Sequence, residues 1–118
     1  MDIEKVRKYC LKKKKTTEGF PFGEDVLVFK VMNKMFCLAN LTPPLTINIK
    51  CDPELAVELR EKYDSVTPGY HMNKTHWNTI SLDGSVQDRE ILKWIDHSYE
   101  LIVTSLPKKD RDSMHQDT

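Results

Sequence analysis

The sequence predicts an α+β fold in which helices cover one face of a mostly antiparallel β-sheet. Three observations carry this prediction. Amphipathic helical patterns occur near both ends of the chain and once in between, and strand-like segments separated by turns lie among them. Residues 45–51 also alternate between apolar and polar side chains, which is typical of a strand with one buried face. The 118 residues are 39% hydrophobic and 31% charged, so we expect one soluble domain.

The first predicted element is a helix that Asp2 can cap. Ile3, Val6 and Cys10 recur at the spacing of one helical face. Four lysines at 12–15 then fall at the C-terminal end of this helix, where its dipole favours positive charge. This position explains the lysine run structurally, and a contact with nucleic acid stays an open alternative.

A β-hairpin is predicted next, from two apolar runs at residues 26–32 and 35–41. Asn33 and Lys34 lie between the runs, where a two-residue turn belongs, and asparagine tolerates the left-handed backbone of such turns. The segment before the hairpin is also read as extended, with interruptions at glycine and proline residues.

The alternating segment that follows predicts a strand with one face on the core. The apolar residues Ile47, Ile49 and Cys51 form the buried face of this strand. The other face is expected to be accessible to water, and it carries Thr46, Asn48 and Lys50.

Two further helices complete the predicted layer over the sheet. Asp52 and Pro53 can open the second helix, and Asp88 can cap the third, which ends near Leu106. A strand at about 75–82 lies between them, bounded by turns at Pro68-Gly69 and Asp83-Gly84. We expect residues 1–107 to form the domain and residues 108–118 to be a polar, frayed tail.

The composition argues against a membrane or secreted protein. No apolar run approaches the roughly 18 residues of a membrane span, and the charged N-terminus has no signal-peptide pattern, so we expect a cytoplasmic protein. The three cysteines, Cys10, Cys37 and Cys51, suit neither a disulfide framework nor a zinc-binding pair. We expect them to be buried as small apolar residues.

The segment 70–78, YHMNKTHWN, concentrates the candidate functional residues. His71 and His76 are five residues apart, which matches neither a helical nor a strand pair of metal ligands, so no metal or cofactor is expected. Hydrolase and phosphate-loop motifs are absent from the sequence, and we expect a protein without enzymatic activity. Histidine, asparagine, lysine and aromatic residues together can hydrogen-bond phosphates and stack on bases. The alternative is that Tyr70 and Trp77 are core residues.

The charge of the chain is distributed unevenly along the sequence. The net charge is zero. The first 51 residues nevertheless carry ten lysines and arginines against five acidic residues, while the rest carry eight against thirteen. A local basic face is therefore compatible with the neutral total.

Several unusual motifs occur in one order: PFG, VFKV followed by a K-x-F hairpin, KCDP, PGYHMNK-x-HW and DHSYEL. Through them the chain resembles the MmcQ/YjbR family of small bacterial proteins over roughly residues 20–109. The resemblance implies a CyaY-like (frataxin-like) fold. It also implies DNA binding of a "double wing" type, in which strand hairpins address the duplex. Iron handling of the frataxin type is not implied, because the first helix here ends in four lysines.

The double-wing proposal, carried onto this sequence, implies a set of contact residues. Lysines would neutralise phosphates, amides and histidines would bind phosphates or base edges, and Trp77 would stack. The set comprises Lys30, Lys34, Lys50, His71, Asn73, Lys74, His76, Trp77 and Asn78. Duplex DNA is the expected partner rather than single-stranded DNA, and a monomer is favoured.

The alternative function is a non-catalytic module that binds a protein or a small ligand. Its pocket would be lined by Tyr70, His71, His76 and Trp77. The neutral net charge favours this alternative, because dedicated duplex-binding proteins are usually basic. An accessory subunit without a ligand of its own is a third alternative.

Overall fold

A six-stranded antiparallel sheet with helices confirms the predicted α+β class. The structure is a computed structural model that describes residues 1–69 and 72–115. Its strands are β1 (Thr16–Gly19), β2 (Val26–Val31), β3 (Lys34–Asn40), β4 (Thr46–Lys50), β5 (Val66–Pro68) and β6 (Trp77–Ser81). Its helices are α1 (Ile3–Leu11), α2 (Pro53–Lys62), α3 (Asp88–Ser105) and α4 (Lys108–Ser113). The strands lie in the order β1-β2-β3-β4-β6-β5, and no described helix is long and apolar enough to cross a membrane.

Two of the predicted helix caps are confirmed and the third is wrong. Asp2 accepts a hydrogen bond from the Lys5 amide at 2.8 Å, and Asp52 accepts one from the Leu55 amide at 3.3 Å. Asp88 is already the first residue of α3, and Gln87 occupies the cap position. The Asp88 carboxylate instead lies 3.0 Å from the Lys5 ammonium, so it links the start of α3 to α1.

One face of the sheet and the helices enclose the core. The predicted burial of Ile47, Ile49 and Cys51 on one side of β4 is confirmed. The sheet contributes Leu27, Phe29, Val31, Phe36, Cys37, Ala39, Ile47, Ile49, Val66 and Ile80 to this core. The helices add Val6, Cys10, Ala56, Leu59, Ile91, Trp94, Ile95, Tyr99 and Ile102.

The three cysteines are free and buried, as the sequence predicted. A hydrogen bond with Cys10, together with burial, raises the pKa of the Cys37 thiol well above its usual value. Burial also raises the pKa of Cys51 to about 11. The thiols of Cys37 and Cys51 therefore remain protonated at neutral pH and pack as apolar residues.

The hairpin between β2 and β3 has its turn one residue earlier than predicted. Met32 and Asn33 adopt φ angles of 47° and 68°, and Lys34 already belongs to β3. A two-residue hairpin turn of type I′ needs positive φ at both central positions, and both residues meet this requirement.

The C-terminal segment differs from the predicted frayed tail. Residues 108–113 form α4, and Met114 is only 6% exposed because its side chain packs into the core. Its single apolar side chain is what anchors this polar segment. Residues 116–118 of the predicted tail lie outside the described residues.

A serine of α3 completes the hydrogen bonding where β3 and β4 separate. The pairing of these strands runs from Asn40–Thr46 to Cys37–Ile49. Beyond it, the Ser98 hydroxyl donates to the Phe36 carbonyl at 2.6 Å and accepts from the Lys50 amide at 2.9 Å. Ser98 is fully buried, so its hydroxyl satisfies two backbone groups that water cannot reach.

A polar cluster joins α1 to α3 on the other side of the core. The Tyr9 hydroxyl lies 2.8 and 2.9 Å from the two carboxylate oxygens of Asp96 and donates to them. The Lys13 ammonium also binds Asp96 and lies 5.0 Å from the ring centroids of both Tyr9 and Tyr99. Burial, followed by the bond to Asp96 and its charge, raises the pKa of Tyr9 to about 12.

We predict that Ser98→Ala lowers the free energy of unfolding by about 1–3 kcal/mol, because it leaves a buried carbonyl and a buried amide unsatisfied. Urea denaturation measures the change. Ser105→Ala is the matched control, since the Ser105 hydroxyl donates only to the Ile102 carbonyl of its own helix. Equal effects of the two substitutions would contradict the role assigned to Ser98.

We predict that Tyr9→Phe lowers the free energy of unfolding by about 1 kcal/mol near pH 8. This difference from the wild type should be complete below pH 10 and should shrink as the pH rises through about 12, because the folded state raises the pKa of Tyr9 and therefore prefers the protonated phenol. Denaturation of both proteins between pH 8 and 12 tests this. A difference that is constant over this range would be the contrary result.

Candidate binding face

The face of the sheet that points away from the core, which we call the open face, carries the candidate site. Alternation along the strands selects its residues, with one interruption in β3, where a bulge places both Phe36 and Cys37 in the core. They are Thr17, Gly19, Val26, Val28, Lys30, Met35, Leu38, Asn40, Thr46, Asn48, Lys50, Thr67, Trp77, Thr79 and Ser81. None of them is acidic. The open face therefore has a positive charge although the chain is neutral overall.

The strand register places two predicted contact residues in one row. Val28, Leu38, Asn48 and Thr79 form a row of paired residues across four strands. Lys30 lies two residues beyond Val28, and Lys50 lies two residues beyond Asn48 on a strand of the same direction. The two lysines therefore lie on the same side of the sheet, on two strands that β3 separates.

We call the end of the open face that carries Lys30 and Lys50 its basic end. Lys34, which pairs with the core residue Val31, belongs by alternation to the helix side of the sheet. Lys34 is exposed at the start of β3, next to the hairpin turn. Within residues 1–69 and 72–115, no ion pair involves any of the three lysines. The opposite end of the face is flanked by acidic loop residues, Glu24 and Asp25 beside β2. The open face is therefore polarised along its strands.

Trp77 lies on the open face but is covered. Only 9% of Trp77 is exposed, and it forms a small apolar cluster with Val28 and Leu38, against which Met35 and Met72 pack. The expectation that Trp77 stacks on a partner is therefore corrected, since a ring buried against the sheet has no free face for a base.

Gly69 makes the covering of Trp77 possible. The Gly69 amide donates to the Trp77 carbonyl at 2.9 Å. A Cβ atom at position 69 would lie 2.9 Å from the Trp77 Cβ and 3.1 Å from its carbonyl oxygen. Only glycine allows the two backbones to approach this closely.

Asn78 points to the opposite side of the sheet from Trp77. It is 1% exposed; its oxygen accepts from Arg60 Nε at 2.9 Å and its amino group donates to the Ala56 carbonyl at 3.3 Å. The same arginine donates through Nη2 to the Lys74 carbonyl at 2.8 Å. The predicted place of Asn78 in the contact set is therefore corrected, because its carboxamide is occupied inside the protein.

The other residues of the segment 70–78 form an exposed turn. Asn73, Lys74 and His76 are exposed, and the Asn73 oxygen accepts from the amides of Thr75 at 2.9 Å and His76 at 3.3 Å. This turn precedes β6 at the basic end. Tyr70 and His71 lie outside the described residues. The segment is thus not one surface, because its residues are divided between a turn and the two faces of β6.

A cavity of about 600 Å³ lies on the open face. Its lining consists of Phe22, Val26, Leu38, Asn40, Thr46, Asn48, Met72 and Thr79. Neither His76 nor Trp77 is among them, so these two members of the alternative pocket do not line this cavity. One clue to this cavity was present in the sequence: the PFG motif puts an apolar aromatic residue into a turn-rich segment.

Two polar side chains of this cavity, those of Asn40 and Asn48, each keep a free donor group. The Thr79 hydroxyl donates to the Asn48 oxygen at 2.6 Å, and the Asn40 oxygen accepts from the Thr42 amide at 3.3 Å. Both carboxamide oxygens are therefore engaged. Among the described residues, no hydrogen bond involves the amino group of either asparagine, and no group of three metal-binding side chains is present.

Comparison with known proteins gives consistent matches along the chain. The model of the YjbR family matches residues 11–101. The uncharacterised protein YjbR of Escherichia coli K12 is 32% identical over 117 residues, which cover 98% of this chain and 99% of that protein. The uncharacterised protein YyaQ of Bacillus subtilis is 40% identical over 55 residues, 47% of this chain and 46% of that protein.

Two solved structures are similar in fold. The Deinococcus radiodurans protein DR2400, with the family-model domain DUF419, superposes with a TM-score of 0.90 at 35% identity, over 98% of this chain and 88% of that chain. A protein from Pseudomonas syringae gives a TM-score of 0.75 at 30% identity, over 86% of this chain and 98% of that chain.

We predict that Gly69→Ala displaces Trp77 and lowers the free energy of unfolding by about 1–3 kcal/mol, because the added methyl group overpacks a rigid contact. The indole N–H signal of Trp77 should shift in NMR spectra while that of the core residue Trp94 stays. Gly19→Ala is the matched control, since nothing lies within 4 Å of its added Cβ. An unshifted Trp77 signal in Gly69→Ala would show that the close approach is not needed.

Proposed function

The chain belongs to the YjbR family, and we propose that it is a non-catalytic DNA-binding protein whose contacts come from the basic end of the open face. Lys30 and Lys50, in one row without an acidic neighbour on the face, are the observation that carries this proposal. Phosphate binding by such lysines releases counterions, which supplies affinity without base contacts.

The arrangement of the loops supports the same face. The turn that carries Asn73, Lys74 and His76 precedes β6 at the basic end, and it would act beside the β2–β3 hairpin as the second wing. Thr16 pairs with Val31, which brings the end of the lysine run at 12–15 beside the hairpin turn. We also propose the CyaY-like (frataxin-like) description of the fold, which is supported by the antiparallel sheet with helices packed on one of its faces.

The proposed contact set is smaller than the one expected from the sequence. It retains the exposed or half-exposed residues Lys30, Lys34, Lys50, Asn73, Lys74 and His76. Trp77 and Asn78 are left out because they are buried. The role of His71 stays a prediction from the sequence, because this residue is outside the described ones.

We predict that the double variant Lys30→Ala/Lys50→Ala binds DNA more weakly at low salt. The slope of log K against log salt should become shallower by about 1.8 for duplex DNA, or about 0.9 for each lost phosphate contact. Fluorescence anisotropy with labelled duplex and single-stranded DNA, across a salt series, measures both quantities.

The matched control is Lys93→Ala/Lys109→Ala, which removes two exposed lysines from the helices α3 and α4. This control should bind like the wild type. The proposal fails if the wild type shows no salt-dependent binding, or if the control weakens binding as much as the open-face variant does.

A further inference from the structure

The open-face cavity has a chemistry that the phosphate contacts do not use. None of its eight described lining residues is charged, so it suits a neutral group. Phe22, Val26, Leu38 and Met72 supply apolar walls, and two asparagines and two threonines supply polar atoms. The volume of about 600 Å³ falls within the usual range of small-ligand sites, about 300–1,000 Å³.

The free polar atoms of the cavity suit a group with exposed acceptors. The carboxamide oxygens of Asn40 and Asn48 are engaged by Thr42 and Thr79, which leaves the amino groups as donors. Asn48 and Asn40 lie on adjacent strands, two residues apart in register, so both can reach one ligand. Carbonyl oxygens and ring nitrogens of a heterocycle are such acceptors.

Phe22 gives the cavity a free aromatic surface. It belongs to the loop before β2 and is 62% exposed. Among the described residues, no other large apolar side chain is as exposed. An aromatic ring at the rim of a cavity can cover a planar group by stacking. A flat ring with acceptor atoms therefore fits both the rim and the polar floor.

We propose that this cavity receives one unpaired base of a single-stranded nucleic acid, whose phosphates lie on Lys30 and Lys50. This inference rests on the proposed function, and it names the form of the nucleic acid. Asn48 and Lys50 are two residues apart on one face of β4, about 6.6–6.8 Å, so base and phosphate contacts adjoin. Glu24 and Asp25 repel phosphates from the opposite end of the open face, so the phosphates of the bound strand lie at the basic end.

The same geometry favours a single strand over the duplex expected from the family resemblance. A base inside a duplex is stacked and paired, and bringing it into a cavity costs a few kcal/mol of unstacking. An unpaired base does not incur this cost. The lysine row binds both forms, so the cavity is what distinguishes them.

Phe22→Ala tests the inference without disturbing the core, because the side chain is largely exposed. We expect single-stranded oligonucleotides to bind this variant about 5- to 100-fold more weakly, as for the loss of one stacked base, with an unchanged salt slope. Phe20→Ala is the matched control: Phe20 is 50% exposed in the same loop but does not line the cavity. Anisotropy with single-stranded DNA, single-stranded RNA and duplex DNA measures these effects.

A second measurement locates the base. Adenosine and cytidine, which lack phosphate, should shift the methyl NMR signals of Val26, Leu38 and Met72, and Asn48→Leu should abolish the shifts. Tighter binding of single strands than of duplex, DNA or RNA, supports the inference. Tighter binding of duplex overturns it.

The two proposals fail in distinguishable ways. If oligonucleotides bind through Lys30 and Lys50 but nucleosides shift no cavity signal and Phe22→Ala behaves like Phe20→Ala, the cavity inference is overturned and the proposed function stands. If no oligonucleotide binds at low salt, both are overturned, whatever the nucleosides do.

Discussion

Except at the bulge in β3, every second side chain of the central strands points away from the helices, and this alternation decides what the sheet can bind. The helices need one apolar face, and that requirement uses the inward residues of β2, β3, β4 and β6. The outward residues do not have to be apolar. Ser98 supports the arrangement where β3 and β4 separate, because its hydroxyl replaces the hydrogen bond that the strands no longer make directly. The position of Lys50 beside the cavity therefore depends on a serine of a helix.

Features with a local cause could be predicted from the sequence. The alternation in β4, the caps at Asp2 and Asp52, and the existence of the β2–β3 hairpin all follow from residues within a few positions of one another. The three-residue strand β5 was missed because it is too short to show a period, and Met114 was assigned to the tail because its neighbours are polar. Both depend on contacts with distant segments.

The candidate site could be predicted only in part for the same reason. Lys30 and Lys50 were chosen individually, but the sheet register that puts them in one row is a property of the fold. The segment 70–78 was treated as one surface, although strand alternation sends Trp77 and Asn78 to opposite sides. Phe22 and Asn40 meet at the cavity only because the loop before β2 and the end of β3 are neighbours in space. No spacing along the chain contains that information.

The buried cysteines have a consequence for how the molecule can be observed. A thiol reacts with an alkylating reagent as the thiolate, and the core both covers Cys37 and Cys51 and keeps them protonated. Their rate of labelling is therefore controlled by how often the core opens. Cys37 lies in the strand between Lys30 and Lys50, and Cys51 follows Lys50 directly. The labelling rates of these two cysteines therefore measure how often the strands that carry the binding face open.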